Sequence, residues 1–434
     1  MEFKKVTLGE IAKFNQKSYK SNYNWKTVKY LDTGNLNKNK VENLTTFNLR
    51  KEKLPSRAKR IPQINSILYS TVRPNQEHYG ILENKFDNLL VSTGFTVIDI
   101  YKENINPKYI YYFLTKKDIT AYLQKIAEDS VSTYPAIKPS DIKNLEILLP
   151  NRNNQDKIEQ ILSNLDSKIE INNKIISNLE SQAQAIFKSW FVDFEPFQDG
   201  NFVESELGMI PEGWKVKELG EVADFSNGYS FKSKDLLEEK KSKNDYKVFK
   251  QADIKVGGGI NPNNTKSWID SEFIRKNKLS RFIIQSGDLM MCMTDMKNNV
   301  RLLGNTALVY QPDEYILNQR VGRLRSKQKE IKPSFLYYLT NNSVFLNDLR
   351  GRANTGVQVN LSTSEIKRSK VILPTCDIIK RFCDYSESIT KSINSLNNQN
   401  TKLDELRDAL LPKLMAGEID VSNIKIEGEE VKNE

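Results

Sequence analysis

A single histidine, three cysteines and no long apolar run narrow what these 434 residues can do. His78 has no neighbours that would make it part of a nucleophilic triad, so a structural role is expected. Cys292, Cys376 and Cys383 are too few and too oddly spaced for a disulfide framework or a zinc site, and are expected to be buried or semi-buried thiols. No stretch of about 18 apolar residues occurs, so no membrane span is expected. Met1-Glu2-Phe3-Lys4-Lys5 leads into no apolar signal region, which makes the cytoplasm the default compartment. No Gly-x4-Gly-Lys-Ser/Thr loop cradles phosphates, and Gly257-Gly258-Gly259, followed by no helix, reads as a loop tip. Glu238-Glu239-Lys240-Lys241 imitates one end of a metal-dependent nuclease, but such runs arise freely where 28% of residues are charged. No Asn-Pro-Pro-aromatic tetrapeptide is present to hold a target adenine. These absences point to binding and not to catalysis.

What is present begins with a heptad pattern. From Gln155 to Trp190, apolar residues recur at alternating steps of four and three: Ile158, Leu162, Leu165, Ile169, then Asn172, Ile176, Leu179, Ala183, Ile186 and Trp190. That spacing predicts one long helix with a narrow seam, about 54 Å long at 1.5 Å per residue. Such a seam needs a partner helix. Phe382, Ile389, Ile393, Leu396, Leu403 and Leu410 supply one, each 224 positions after a residue of the first pattern. Ser386, Asn400 and Arg407 interrupt this second seam.

The repetition extends beyond the helices. Leu8-Gly9-Glu10-Ile11 returns as Leu219-Gly220-Glu221-Val222, and Pro107-Lys108-Tyr109-Ile110-Tyr111-Tyr112 as Pro333-Ser334-Phe335-Leu336-Tyr337-Tyr338. Asp141-Ile142 with Leu149-Pro150 returns as Glu365-Ile366 with Leu373-Pro374. Ordered matches at a nearly constant offset mean a tandem duplication, each copy a globular segment followed by a long helix. The expected domains are 1–150, a helix in 151–200, then 201–374, and a final helix and tail in 375–434.

Charge follows the same division. Residues 1–150 hold 24 Lys and Arg against 15 Asp and Glu, a net of +9, and residues 201–374 hold 28 against 20, a net of +8. Residues 151–200 carry −3, from 5 against 8, and residues 375–434 carry −4, from 8 against 12. Two basic globular segments joined to acidic helices suggest two surfaces for a polyanion.

Strands are expected at Ile64–Ser70, Leu89–Ile100 and Gly287–Met293, and a helix at Pro107–Lys116. Candidate DNA contacts in the first segment are Arg57, Lys59 and Arg60, which end a basic run, and Arg73, Asn75 and Gln76 in a turn after a strand. In the second they are Lys297, Asn298 and Arg301, then Arg320 and Arg323, which with Arg325 alternate along one strand face. Arg352, Asn354 and Thr355 lie in Gly351–Gly356, expected as a flexible loop suited to close backbone approach.

Several of these pieces resemble one family. Leu8-Gly9-Glu10-Ile11, Ile147-Leu148-Leu149-Pro150, Ala185 to Phe191, Leu207 to Trp214 with Pro211-Glu212-Gly213-Trp214, and Leu410 to Ile419 together resemble the specificity subunit of type I restriction–modification systems, the HsdS family. The resemblance spans essentially the whole chain. It implies an α+β fold: two tandem α/β target recognition domains separated by two long helices in an antiparallel coiled coil, with pseudo-two-fold symmetry. It implies a non-catalytic subunit whose domains each read half of a bipartite, asymmetric site in double-stranded DNA. The helices would bind two methyltransferase subunits (HsdM-like), joined by restriction and motor subunits (HsdR-like). S-adenosylmethionine, ATP and Mg would then sit on those partners. The rival reading is a stand-alone nuclease or methyltransferase with an unrecognised site.

Overall fold

The computed structural model describes residues 2–20, 23–130, 135–261, 267–296, 300–310, 314–355 and 358–424. The chain folds as two compact units, Met1–Ile171 with Gln399–Glu434, and Asn172–Asn398. Each unit thus combines a globular segment with parts of both long helices, so compactness does not divide the chain where the helices begin. Among the described residues, no helix is long and apolar enough to cross a membrane.

The duplication is visible strand by strand. In the first unit, Ala12–Phe14, Phe95–Ile100, Ile67–Ser70 and Tyr79–Ile81 lie in that spatial order in an antiparallel sheet. In the second, Ala223–Asn227, Val321–Ser326, Leu289–Cys292 and Thr306–Leu308 repeat the order. A further sheet in each unit contains one parallel pair, Thr27–Leu31 with Leu89–Ser92 and Tyr246–Phe249 with Tyr315–Leu317. The entry strand pairs with the exit strand in both: Lys4–Thr7 with Glu146–Leu149, and Lys215–Glu218 with Lys370–Leu373. The expected strand Leu89–Ile100 is two strands, because its turn at Thr93-Gly94 sends each half to a different sheet.

The recurring Leu-Gly-Glu has a physical cause in this geometry. Glu10 turns back to accept from the Thr7 N–H at 2.6 Å, and Glu221 accepts from the Glu218 N–H at 2.8 Å. Those backbone hydrogen bonds are the main reason both carboxyls lie below their usual range. The glycines permit close packing: a Cβ on Gly9 would stand 2.7 Å from Lys143 Cγ, and one on Gly220 3.0 Å from Lys367 Cβ. The helix Pro107–Leu114 starts where Asn106 Oδ1 accepts from the N–H groups of Lys108 (2.8 Å) and Tyr109 (3.3 Å), with proline at its first position.

Both long helices form, over Arg152–Phe191 and Cys376–Ala416. Their seams turn inward: Ile158 and Leu162 are fully buried in the first unit's core, and Phe382 and Ile389 are buried in the second's. Leu165, Ile169, Leu179, Ile186, Ile393, Leu396, Leu403 and Leu410 are half-buried, and Ile176 is buried. Within the first unit, Lys157 Nζ donates to Ser422 O at 2.9 Å and Arg407 Nη1 to Asp166 at 2.8 Å, so the two helix segments run antiparallel there. Within the second, the Phe187, Trp190 and Phe191 rings meet Phe382, while Leu179 and Ile393 join the same core.

Of the polar interruptions, Ser386 and Asn400 are buried and Arg407 is half-buried, with partners from the globular segment for Ser386 and from the first long helix for Arg407. Ser386 Oγ lies 3.1 Å from Ser334 Oγ, and Arg407 bonds Asp166. Trp214 of Pro-Glu-Gly-Trp packs edge-on against Phe194 and Phe197, at 5.5 and 5.1 Å between ring centres.

Two expectations change. Cys292 and Cys383 are buried, but Cys376, which opens the second long helix, is exposed. Gly257-Gly258-Gly259 is the expected loop tip, between the bridged Ile254 and Ile260, and it is docked: Gly258 is buried, and the Gly257 carbonyl accepts from Gln184 of the first long helix at 3.3 Å. Gly351–Gly356 is no simple loop: Gly351 ends the helix Ser343–Gly351, Asn354–Thr355 is a paired strand, and Gly356 lies outside the described residues. His78 Nδ1 lies 2.8 Å from Leu36 O, which accounts for it structurally.

Candidate nucleic-acid interface

In the first unit, the turn Thr93-Gly94 between the strands Leu89–Ser92 and Phe95–Ile100 brings two basic segments to one edge. Thr93 N donates to Arg57 O at 2.8 Å, and Arg60 Nη2 donates to Thr93 O at 3.4 Å. Next to it, Thr71 donates to Gly94 O through its N–H (2.8 Å) and its hydroxyl (2.9 Å). Arg73 N then donates to Pro135 O at 3.0 Å. Arg57–Arg60 and Arg73–Gln76 therefore flank a single turn, Thr93-Gly94.

Arg57, Lys59, Arg73, Asn75 and Gln76 are exposed on that edge, and Arg60 is half-buried. Arg73 holds a left-handed φ of 46°, after which Pro74–Gln76 makes one tight turn. That turn is anchored where Asn75 N donates to Gln124 Oε1 at 3.1 Å. Burial lowers the Arg60 pKa, and its Nε is buried with no hydrogen-bond partner among the described residues. The guanidinium is thus partly committed to the fold.

Beside this edge stands an aromatic stack that the sequence reading missed. Tyr19 stacks on Trp25 at 5.3 Å and on Tyr23 at 5.6 Å, and Tyr19 N donates to Lys59 O at 2.6 Å. The available signal was the interleaving of aromatics and lysines over residues 17–29, a composition suited to stacking and phosphate contact.

In the second unit, the strand Leu289–Cys292 runs on into Thr294–Met296, which pairs with Gln358–Asn360. That strand pairs in turn with Asn354–Thr355. Met293 N donates to Arg320 O at 3.3 Å and Leu361 N to Met293 O at 2.9 Å, which sets Arg320 beside the ribbon. Arg301 is exposed, and its carbonyl accepts from Arg350 Nη2 at 2.7 Å. Asp295 Oδ2 fixes the same segment by accepting from Leu302 N at 2.7 Å and Leu303 N at 3.2 Å.

The arginine series divides. Arg320 precedes the strand Val321–Ser326, so it does not share the face of Arg323 and Arg325. Those two turn toward the buried Asp288: Arg325 Nη2 donates to it at 2.9 Å, and Arg323 Nη1 lies 4.0 Å away while donating to Arg281 O at 3.0 Å. A buried carboxylate demands such compensation. Burial lowers the Arg323 pKa, whereas the Asp288 hydrogen bond raises that of Arg325. Arg320 remains as the exposed member.

Arg352 forms a two-point pair with Asp348 one turn earlier, at 2.9 and 3.1 Å. Asn354 is exposed, and Thr355 shares its strand. Lys297 and Asn298 lie outside the described residues.

Comparison with known proteins places the chain in a family. A model of the type I restriction modification DNA specificity domain matches residues 1–181 and 211–405. The type I restriction enzyme HindI specificity subunit of Haemophilus influenzae is 27% identical, over 96% of this chain and 100% of its own. The MjaIX specificity subunit of Methanocaldococcus jannaschii is also 27% identical, over 77% of this chain and 74% of its own. A crystal structure of a type I restriction–modification S subunit from M. genitalium matches at 17% identity and a TM-score of 0.48, over 95% of this chain and 96% of that one. Two matches to one domain, one on each copy of the repeated fold and together spanning most of the chain, show that this chain belongs to the type I restriction–modification DNA specificity family.

Proposed function

We propose that this chain directs a type I restriction–modification complex to its DNA, each recognition domain reading one half of a bipartite, asymmetric site. Specificity subunits of type I systems are their non-catalytic members. One observation carries the reading: the same strand order recurs in both units, yet the edges at equivalent places differ in chemistry. The first edge exposes Arg57, Lys59, Arg73, Asn75 and Gln76, and the second Arg301, Arg320, Asn354 and Asn360. A shared frame with different side chains suits two reading heads for two sequences. The contacts we assign to phosphates and bases are Arg57, Lys59, Arg73, Asn75 and Gln76 in the first unit, with Arg60 partly committed to the fold. In the second they are Arg301, Arg320 and Asn354, together with Thr355 and with Lys297 and Asn298, which lie outside the described residues, while the Arg281 carbonyl holds Arg323 and Asp348 holds Arg352.

The acidic long helices are poor DNA ligands, which leaves them free to hold two methyltransferase subunits and, for cleavage, restriction and motor subunits. In this reading S-adenosylmethionine, ATP and magnesium belong to those partners, and the complex works in the cytoplasm. The test is to express the chain with methyltransferase subunits in a host that lacks adenine methylation and to map modified adenines across the genome. A two-part motif with an unread spacer is expected. Absence of any motif, or a single continuous palindrome, would overturn the proposal.

A further inference from the structure

The ribbon at the second unit's edge has two unlike faces. Pairing places Thr294 opposite Asn360 and Asn354 opposite Asn360, with Met296 opposite Gln358 one row further on. Because alternate residues of a strand share a face, Asn354, Asn360, Gln358 and Met296 project together with Thr294, which is buried. Asn354 and Asn360 are exposed, Gln358 is half-buried and Met296 is 59% exposed. The other face carries Val359, buried in the core, and Leu361 beyond the strand end is buried as well. A slip of one residue would bury the amides and expose Val359, so the register is strongly held.

We propose that this face of amides and methionine reads A·T base pairs from the major groove, an inference that rests on the DNA-reading function above. A β-ribbon of this kind fits the major groove, which is about 12 Å wide. The amide of Asn or Gln matches the N6 donor and N7 acceptor of adenine, and an apolar side chain meets the thymine methyl. The four accessible residues of the face offer no ion pair to guanine and no carboxylate to repel phosphates. Exposed Arg301 and Arg320 flank the ribbon and can hold the backbone on either side. Among the described residues, the equivalent place in the first unit has the single bridge Val72 to Ala136 and presents Arg73 instead. The two heads thus differ in the chemistry they offer a base.

The experiment selects bound duplexes from a pool with a randomised segment, using the full chain assembled with methyltransferase subunits. Wild type, Asn360→Ala and Met296→Ala are compared. Asn360→Ala is expected to cut discrimination about tenfold at an A·T pair in one half-site and to leave the other half unchanged. Met296→Ala should weaken the preference for thymine at a neighbouring pair. Unchanged selection by both variants, or relaxation confined to G·C pairs, would overturn the inference while leaving the wild-type site intact. A wild-type complex that enriches no sequence would instead overturn the function itself.

Discussion

Arg407 and Asp166 meet at 2.8 Å, the first from the second long helix and the other from the first. Tyr112 of the globular segment donates to the same carboxylate at 2.7 Å, so one anion ties three elements of the first unit. Burial pulls the Arg407 pKa down, but the Asp166 hydrogen bond and the charges of Asp166, Asp404 and Asp408 more than offset it, and the net shift is upward. Replacing Arg407 with methionine keeps the stem and removes the charge. We expect a loss of about 1–2 kcal/mol, modest because a third of Asp166 remains wet. Denaturant unfolding measures it, and a double-mutant cycle with Asp166→Asn should return a coupling of like sign. A null cycle would show that the pair contributes nothing.

Asp99 gives the acid-range prediction. It is 6% exposed, its carboxyl hydrogen-bonds to Ser66, and burial raises its pKa above the ordinary value. The stability it contributes is therefore fully present below the unfolded pKa and is lost as pH rises through the folded one. Asp99→Asn should gain in Tm over wild type at pH 7, with the gain shrinking as pH falls through the raised folded pKa toward the ordinary carboxylate value. A constant difference across that range would contradict this account.

Gly258 and Gly257 form a natural comparison. Their φ values are 105° and 86°, so alanine strains both. Only at Gly258 would a Cβ meet side chains, Asn341 Nδ2 and Tyr337 Oη, each at 2.8 Å; at Gly257 it meets open space. Gly258→Ala should cost about 1 kcal/mol more than Gly257→Ala in thermal unfolding. Equal costs would mean that the packing against Tyr337 gives way freely.

Exchanging residues 215–370 for the same segment of another family member should alter one half of the recognised sequence. The ends of the segment lie side by side, since Glu218 pairs with Lys370 and Lys215 with Leu373. The graft therefore closes on itself without stretching the chain. Methylation mapping of the chimera checks this, and a change in both halves would defeat the modular reading.

Salt should weaken specific binding steeply, with a slope near −0.9 in log K against log salt for each phosphate neutralised. Lys59→Ala and Arg73→Ala should each flatten that slope by about one unit, read by titration at several salt concentrations. Parallel slopes for wild type and variants would take both side chains off the DNA.

How much of this was legible beforehand depends on how far apart the cooperating residues lie. The helices from Arg152 and from Cys376 were written in the spacing of their apolar residues, because a seam repeats within one turn or two of its own chain. The duplication was equally plain, since Leu-Gly-Glu and the aromatic run after Pro107 return in order. The motif residues even proved to act locally, Glu10 reaching back three residues to Thr7. Strand existence was foreseeable in outline, but the division at Thr93-Gly94 was not, because alternating β-branched residues do not reveal which sheet a strand joins. The basic residues looked alike in sequence and separated only on folding. Arg323 turned to the buried Asp288, while Arg320, three residues earlier, stayed exposed. Asn360 sits in the middle of the ribbon's exposed face because Thr294 lies beside it, 66 residues away in the chain. Composition and periodicity settle what a segment forms, since those forces act between near neighbours. Which polar side chain is left for a ligand is decided by competition for partners across the folded core, and that becomes definite only when the chain has closed on itself.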